Sequence, residues 1–347
     1  MRKILNFLRA PQNLALIIAL AALPMTAVAA PPSAPAPQFS QAPRDLFVSF
    51  NNAGDALLQK GNLAAALKAY QAGLVIAERL AKRDPSNVQA QRDLSISYEK
   101  VGNVLLQQGY TPAALKAYQD ALAISERLAK TNPSNAQAQR DLSISYDRIG
   151  AVLLQQGDAP AALKAYQNGL AIRERLAKRD PSNAQAQRDL SISYENVGDV
   201  LLQQDNAPAA LKAHQDSLAI RERLAKTNPS NAQAQRDLLI SYGNIGDVLL
   251  QQGNPAAALK VYQDSMAISE RLAKADPSNA EAQRDLFRSH LRFAQTAFKA
   301  NDKVGTIKQF EMAEAVFVDL LARVGDNANV QRDLAGVRRL LAQLRAQ

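Results

Sequence analysis

The chain has 347 residues, a formal charge of +9, no Cys, no Trp and two His. The missing thiols exclude disulfides, cysteine nucleophiles and cysteine-bound metals. His214 and His290 stand 76 residues apart, so no local two-histidine metal motif exists. Nor does the chain carry a glycine-rich phosphate loop, a triad or a ligand cluster, and the expectation is a protein that is not an enzyme, with no cofactor and no metal.

The first residues differ from everything after them. Arg2, Lys3 and Arg9 precede the apolar run Leu14–Leu23, Pro24 ends that run, and small residues follow at Ala27 and Ala29. A basic start, a short apolar core and a small-residue site form the pattern of a secretory signal peptide. The run is shorter than the roughly 20 residues of a membrane span. Residues 1–29 are therefore expected to be a signal peptide directing the chain to a bacterial periplasm or out of the cell. The alternative is an uncleaved N-terminal anchor, the one circumstance in which membrane contact is expected. No Cys is present to carry a lipid. Loss of three basic side chains leaves a charge of +6, which argues against a nucleic-acid partner. Residues 30–43, uncharged and rich in Pro and Ala, read as an extended linker.

From Arg44 onward the triplet Arg-Asp-Leu returns at Arg92, Arg140, Arg188, Arg236, Arg284 and Arg332, always 48 residues later. A fixed period of this kind is a tandem array. Its units are 44–91, 92–139, 140–187, 188–235, 236–283 and 284–331. Within one unit, Leu142, Tyr146, Ile149 and Leu153, then Ala162, Tyr166, Gly169, Ile172 and Leu176, fall at helical spacing and predict two amphipathic helices. Gly109, Gly157 and Gly253 mark the turn between them, and Pro112, Pro160, Pro208 and Pro255 suit the first turn of the second helix. Ser134 with Gln137 has the spacing of a capping box, repeated at Ser86/Gln89, Ser182/Gln185, Ser230/Gln233 and Ser278/Glu281. The Asn-Pro or Asp-Pro ahead of each Ser stops the preceding helix. Each unit thus reads as a helical hairpin. Toward the end, Leu340, Leu341 and Leu344 share one side of a stretch that reads as a C-terminal capping helix, 332–347.

Tyr98, Val101-Gly102 and Leu105, followed by Ala114 and Tyr118, resemble the tetratricopeptide repeat pattern of an aromatic, a large residue with Gly, a second large residue, and then Ala-x-x-x-aromatic. The match recurs with Tyr146/Gly150/Ala162/Tyr166, Tyr194/Gly198/Ala210 and Tyr242/Gly246/Ala258/Tyr262. The resemblance implies an all-α fold, a right-handed α-solenoid of antiparallel helix hairpins with six repeats plus a C-terminal capping helix. It also implies a scaffold that binds a protein or peptide partner in a concave groove. The family repeat has about 34 residues, whereas this period is 48. The excess falls as seven residues on each side of the helix-ending Pro, about two helical turns, so each helix lengthens while its apolar stripe keeps its direction. Helices of about 20 residues, roughly 30 Å long, are predicted.

In proteins of this resemblance the first helices line the groove. The candidate binding residues there are Glu99, Lys100, Asn103 and Gln107; Asp147, Arg148 and Gln155; Glu195, Asn196, Asp199 and Gln203; and Asn244, Asp247 and Gln251. The acids among them argue against a Lys/Asn clamp for a C-terminal carboxylate, and an acid-leaning, amide-rich surface suits a peptide with basic or amide side chains. In the sixth unit Arg288, Arg292 and Lys299 fall on one helical face, beside Phe287, Phe293, Phe298, Phe310 and Phe317. This is either an anion-binding site or a degenerate end repeat closing the array. Lys68, Lys116, Lys164, Lys212, Lys260 and Lys308 repeat at one position; such a ladder would let an envelope-surface adaptor hold anionic polymer or lipid, or would serve solubility alone. A further alternative is a non-catalytic accessory subunit of an envelope enzyme. The recurrent Glu-Arg-Leu-Ala-Lys reads as a face paired Glu to Lys, and His214 and His290 read as packing substitutions for Tyr.

Overall fold

The computed structural model describes residues 41–325 and 327–346. The expected signal peptide and nearly all of the expected linker lie outside these residues. The linker's last three residues, 41–43, already belong to the first helix, a correction to its boundary: Pro43 falls in the first turn, where proline is tolerated.

The described residues form thirteen helices and no strand. One compact unit, ending at Asp158, contains α1 (Gln41–Gln59), α2 (Leu63–Arg83), α3 (Val88–Gln107), α4 (Thr111–Thr131) and α5 (Ala136–Gln155). The other, beginning at Ala159, contains α6 (Ala159–Arg179), α7 (Ala184–Gln203), α8 (Ala207–Thr227), α9 (Ala232–Gln251), α10 (Pro255–Ala275), α11 (Ala280–Lys299), α12 (Lys303–Val324) and α13 (Ala328–Ala346). Within each unit every helix packs on the next in sequence, which is the all-α solenoid arrangement. The helices of the full hairpins run 20 to 22 residues, matching the two added turns.

Each hairpin turn requires one residue with positive φ. Gly109 (φ 82°) and Gly253 (φ 73°) supply it without a Cβ penalty, while Asp205 (φ 58°) and Asn301 (φ 61°) use the left-handed region that short polar side chains tolerate. The capping-box expectation is corrected. Asn87, Asn135, Asn183, Asn231 and Asn279 are the N-caps, each accepting from a backbone N–H of the first turn. Ser86 instead donates its hydroxyl to Asp84 (2.6 Å), and Gln89 donates to Asp93 (2.7 Å) one turn on. The Asp-Pro-Ser turn consumes the serine, and Asn, one residue nearer the helix, takes the orphan amide.

The hairpins lock by a ring-on-glycine contact. A Cβ placed on Gly102 would lie 2.7 Å from Cε1 of Tyr118, and Gly54 and Gly246 meet Tyr70 and Tyr262 in the same way. The buried rings end in hydroxyls that donate to Asp55 (2.6 Å), Asn103 (2.7 Å) and Asp247. Small residues pack with Tyr70, which shares one buried cluster with Ala66, Val101 and Val104.

The Arg-Asp-Leu triplet joins neighbouring hairpins. Arg44 donates to Asp93 (3.0 Å), Arg92 to Asp141 (2.5 Å), Arg236 to Asp285 (2.5 Å) and Arg188 to Asp237, so the Arg of one copy grips the Asp of the next. The same seam carries a second stitch: Gln91 and Gln235 each donate to the last-turn carbonyl of the preceding helix, at Ala81 and Ala225. Arg127 and Arg271 then donate to those glutamines.

At the C-terminal end Phe287 stacks on Phe317 with ring centroids 3.6 Å apart. With Phe310 they form one buried cluster with Val330, Leu334, Val337, Leu341 and Leu344 of α13. Leu340, expected on the buried side, is 43% exposed. Arg338 and Arg345 reach back to Glu314 (2.7 Å) and Glu311 (2.6 Å) on α12.

Candidate functional site

The candidate residues sit on the first helices, and the structure divides them into side chains committed to the fold and side chains left facing solvent. On α3, Lys100 donates to Asp55 (2.5 Å) and lies 5.1 Å from the centre of the Tyr70 ring, while Asn103 holds the Tyr118 hydroxyl. Glu99 accepts only from Ser145 (3.1 Å), and burial pushes its carboxyl above its usual value. Gln107, and Arg148 and Gln155 on α5, are exposed, and Asp147 is half-buried. An open cleft of about 260 Å³ lies against α1 and α3, between Asp55, Tyr70, Ile96, Glu99, Lys100 and Asn103.

In the second unit Glu195, expected to face a partner, is buried. Arg221 of α8 forks onto it with two contacts of 2.5 Å, and Ser241 (3.3 Å) and Asn244 (3.4 Å) also donate to it. Asp247 is likewise engaged, accepting from Tyr262 and from Arg292 (3.0 Å). Gln251 donates to the Leu202 carbonyl and to Asp205, both at 3.4 Å. Asn196 is half-buried; Asp199 and Gln203 are exposed.

The basic trio of the sixth unit does not act as one free stripe. Arg292 leans over Gly243, where a Cβ would collide with it, to reach Asp247. Arg288 stands 3.6 Å from Asp285 and is two-thirds exposed, and Lys299 is exposed at the end of α11. Phe287, Phe310 and Phe317 are packed inside, Phe293 is half-buried, and Phe298 is 57% exposed.

Two charge patterns read from the sequence change meaning. The Glu of Glu-Arg-Leu-Ala-Lys does not pair with its own Lys. Glu78, Glu126, Glu174 and Glu222 accept the hydroxyls of Tyr98 (3.0 Å), Tyr146 (3.0 Å), Tyr194 (2.9 Å) and Tyr242 (2.9 Å), the helix tyrosines of the following hairpin. Burial and that carboxylate push the phenols of Tyr98, Tyr194 and Tyr242 up to about 12. In the lysine ladder, Lys116 and Lys212 each hold an Asp four residues on at 2.6 Å, which offsets the anion-attracting charge at those positions.

His290 is buried and its Nδ1 lies 2.7 Å from Gln309 Oε1. His214 is buried over Gly198, with neither ring nitrogen hydrogen-bonded, and burial lowers its imidazole to about 4. Among the described residues no cluster of three or more His, Asp or Glu could hold a metal ion, and no helix is long and apolar enough to cross a membrane.

Tetratricopeptide repeat models match residues 189–271, and 96–133 with 144–182. No curated protein sequence matches. Solved structures do. BtubC (BKLC) from P. vanneervenii shares 15% identity over 79% of this chain and 91% of its own, with a TM-score of 0.54. The apo form of RapI shares 14% over 86% and 97%, TM-score 0.51. The nuclear import adaptor Nro1 of S. pombe shares 12% over 86% and 99%, TM-score 0.53. At these identities the likeness is one of fold.

Proposed function

Because this chain belongs to the tetratricopeptide repeat family, we propose that it is an exported scaffold whose first helices hold a protein or peptide partner, with no chemistry of its own. The observation that carries this reading is the division of labour on those helices. One set of side chains closes the Tyr-Gly and Arg-Asp contacts, while Gln107, Arg148, Gln155, Asp199, Gln203, Arg288 and Lys299 stay exposed and available for recognition. Rigid helices that present polar side chains at a fixed spacing are suited to reading an extended segment, because little ordering cost falls on the scaffold. Export rests on the basic, apolar and small-residue order of residues 1–29.

The test is crosslinking of the full chain in the bacterial envelope, followed by identification of what is recovered with it. The wild type is compared with an Arg288→Glu/Lys299→Glu variant and a Gln107→Ala/Gln155→Ala variant. A discrete protein recovered with the wild type and lost in either variant supports the reading and locates the contact. Recovery of polysaccharide or lipid alone, or detection of the chain in the cytoplasm only, refutes it.

A further inference from the structure

We propose that the second hairpin carries a socket for the guanidinium of a partner's arginine, built around Glu99 and backed by Ser95, Ser125 and Ser145. It rests on the scaffold reading above and names the chemistry of one of its contacts.

The repeat provides its own template. In the fourth unit Arg221 is fully buried and gripped by Glu195, by Ser191 (3.2 Å), by the Asp237 carbonyl (2.7 Å) and by Ser241 (3.1 Å). Two periods earlier the same positions hold Glu99, Ser95, Asp141 and Ser145, so every group of the grip is present. The arginine alone is missing: position 125 is Ser.

The copies show that acid and base are otherwise matched. Positions 195 and 221 are Glu and Arg, and 147 and 173 are Asp and Arg. Where the acid is absent the base is absent too: Asn51 with Ala77, Gly243 with Ser269, Leu291 with Phe317. Glu99 with Ser125 is the single unbalanced pair. A half-buried carboxylate whose counter-charges act on it only through space is costly, and a chain of near-identical copies would lose nothing in stability by losing that acid. An external cation explains why the acid stands there.

The surroundings leave the charge open. Lys100 is held on Asp55 and Arg92 on Asp141, each at 2.5 Å. Arg148 acts on Glu99 only through space and is exposed. The hydroxyls of Ser95, Ser125 and Ser145 are buried and linked to one another at 3.1 Å, forming a polar back wall. Access is through the opening of about 30 Å³ that Ser95, Glu99, Ser125 and Asp141 line together with Arg92, Leu128 and Ile144; the cleft of about 260 Å³ between Tyr70, Ile96 and Asn103 reaches only the other side of Glu99. A guanidinium entering beside the serines can fork onto the carboxylate as Arg221 does.

The test titrates the full chain, labelled with ¹³C at Glu side-chain carboxyls, with Nα-acetylargininamide and with its uncharged citrulline analogue. Saturable movement of the Glu99 signal by the arginine probe alone is expected, and calorimetric affinity for the same probe should weaken about tenfold or more in Glu99→Gln. In Ser125→Arg the built-in arginine should occupy the socket, abolishing probe binding while the helical spectrum and melting temperature are kept or raised. This keeps the test independent of misfolding. Probe binding undiminished in Ser125→Arg, or an unmoved Glu99 signal in the wild type, overturns the socket. A crosslinked partner kept equally by Ser125→Arg also overturns it and leaves the scaffold reading standing. Failure of the wild type to recover any partner removes the scaffold reading, while the titration still decides the socket.

Discussion

Replacing His214 with Tyr is expected to stabilise the protein and to flatten its response to acid. The imidazole is 1% exposed, neither nitrogen has a hydrogen-bond partner, and the Asp199 carboxylate lies 3.5 Å from Nε2, beyond good bonding distance. In sister copies a tyrosine hydroxyl closes that gap, as Tyr70 does to Asp55 at 2.6 Å, and Gly198 already leaves room for the larger ring. An unsatisfied buried polar group costs about 1–3 kcal/mol, and a gain of that order is expected at neutral pH. The sign of the acid response follows from burial, which lowers the imidazole from 6.5 to about 4. The unfolded chain takes up the proton first, so the stability that His214 permits is complete above about pH 6.5 and is lost as pH falls toward 4, by up to about 3 kcal/mol. Urea denaturation followed by circular dichroism at pH 8, 6 and 4.5 measures both effects. A wild type that gains stability between pH 6.5 and 4 would mean that His214 charges and pairs with Asp199, and the argument would fail.

Other outcomes follow from the packing and ion pairs. Gly102→Ala drives a methyl into the Tyr118 ring and should destabilise by about 1–3 kcal/mol despite the better helix propensity of Ala; thermal melts read this, and unchanged stability would show that the ring gives way. Arg188→Met leaves Asp237 buried without its guanidinium and should cost about 1–3 kcal/mol, with faster amide exchange in α7 and α9 as the local sign. Glu195→Gln strands Arg221 and should cost about 3–5 kcal/mol, whereas the double change Glu195→Leu/Arg221→Leu should recover most of it. Arg292→Ala breaks a half-exposed pair with Asp247 and should move stability by less than about 1 kcal/mol.

The fold was legible because helical periodicity and a 48-residue period are properties of one copy repeated. Helix length, the positive-φ turn residues and the Tyr-Gly contact all follow from spacing within a hairpin. What escaped notice lies between copies. Arg92 meets Asp141, 49 residues away, and nothing in the spacing of a single unit distinguishes that joint from an ordinary charged triplet. Depth escaped too: Glu195 and Asp199 occupy the same helix four residues apart, yet one is buried on Arg221 and the other is exposed. The first is visible only where the copies are aligned, since Glu195 goes with Arg221 and Asp147 with Arg173, while Gly243 goes with Ser269. The caps are ambiguous in sequence because Ser-x-x-Gln spacing fits a capping box whether or not the Ser hydroxyl is already held, as that of Ser86 is by Asp84.

The Arg-Asp joint has a consequence for how such a chain changes over generations. The first copy offers an arginine forward and the third an aspartate backward, so excising residues 92–139 would bring Arg44 to Asp141 and rebuild the same joint. Unequal exchange between near-identical stretches can therefore lengthen or shorten the array by whole periods without leaving an unmatched seam. Copies are interchangeable as building material. They are not interchangeable in content, because the unmatched Glu99 occurs in one of them, and its loss would leave a well-folded chain with a different surface.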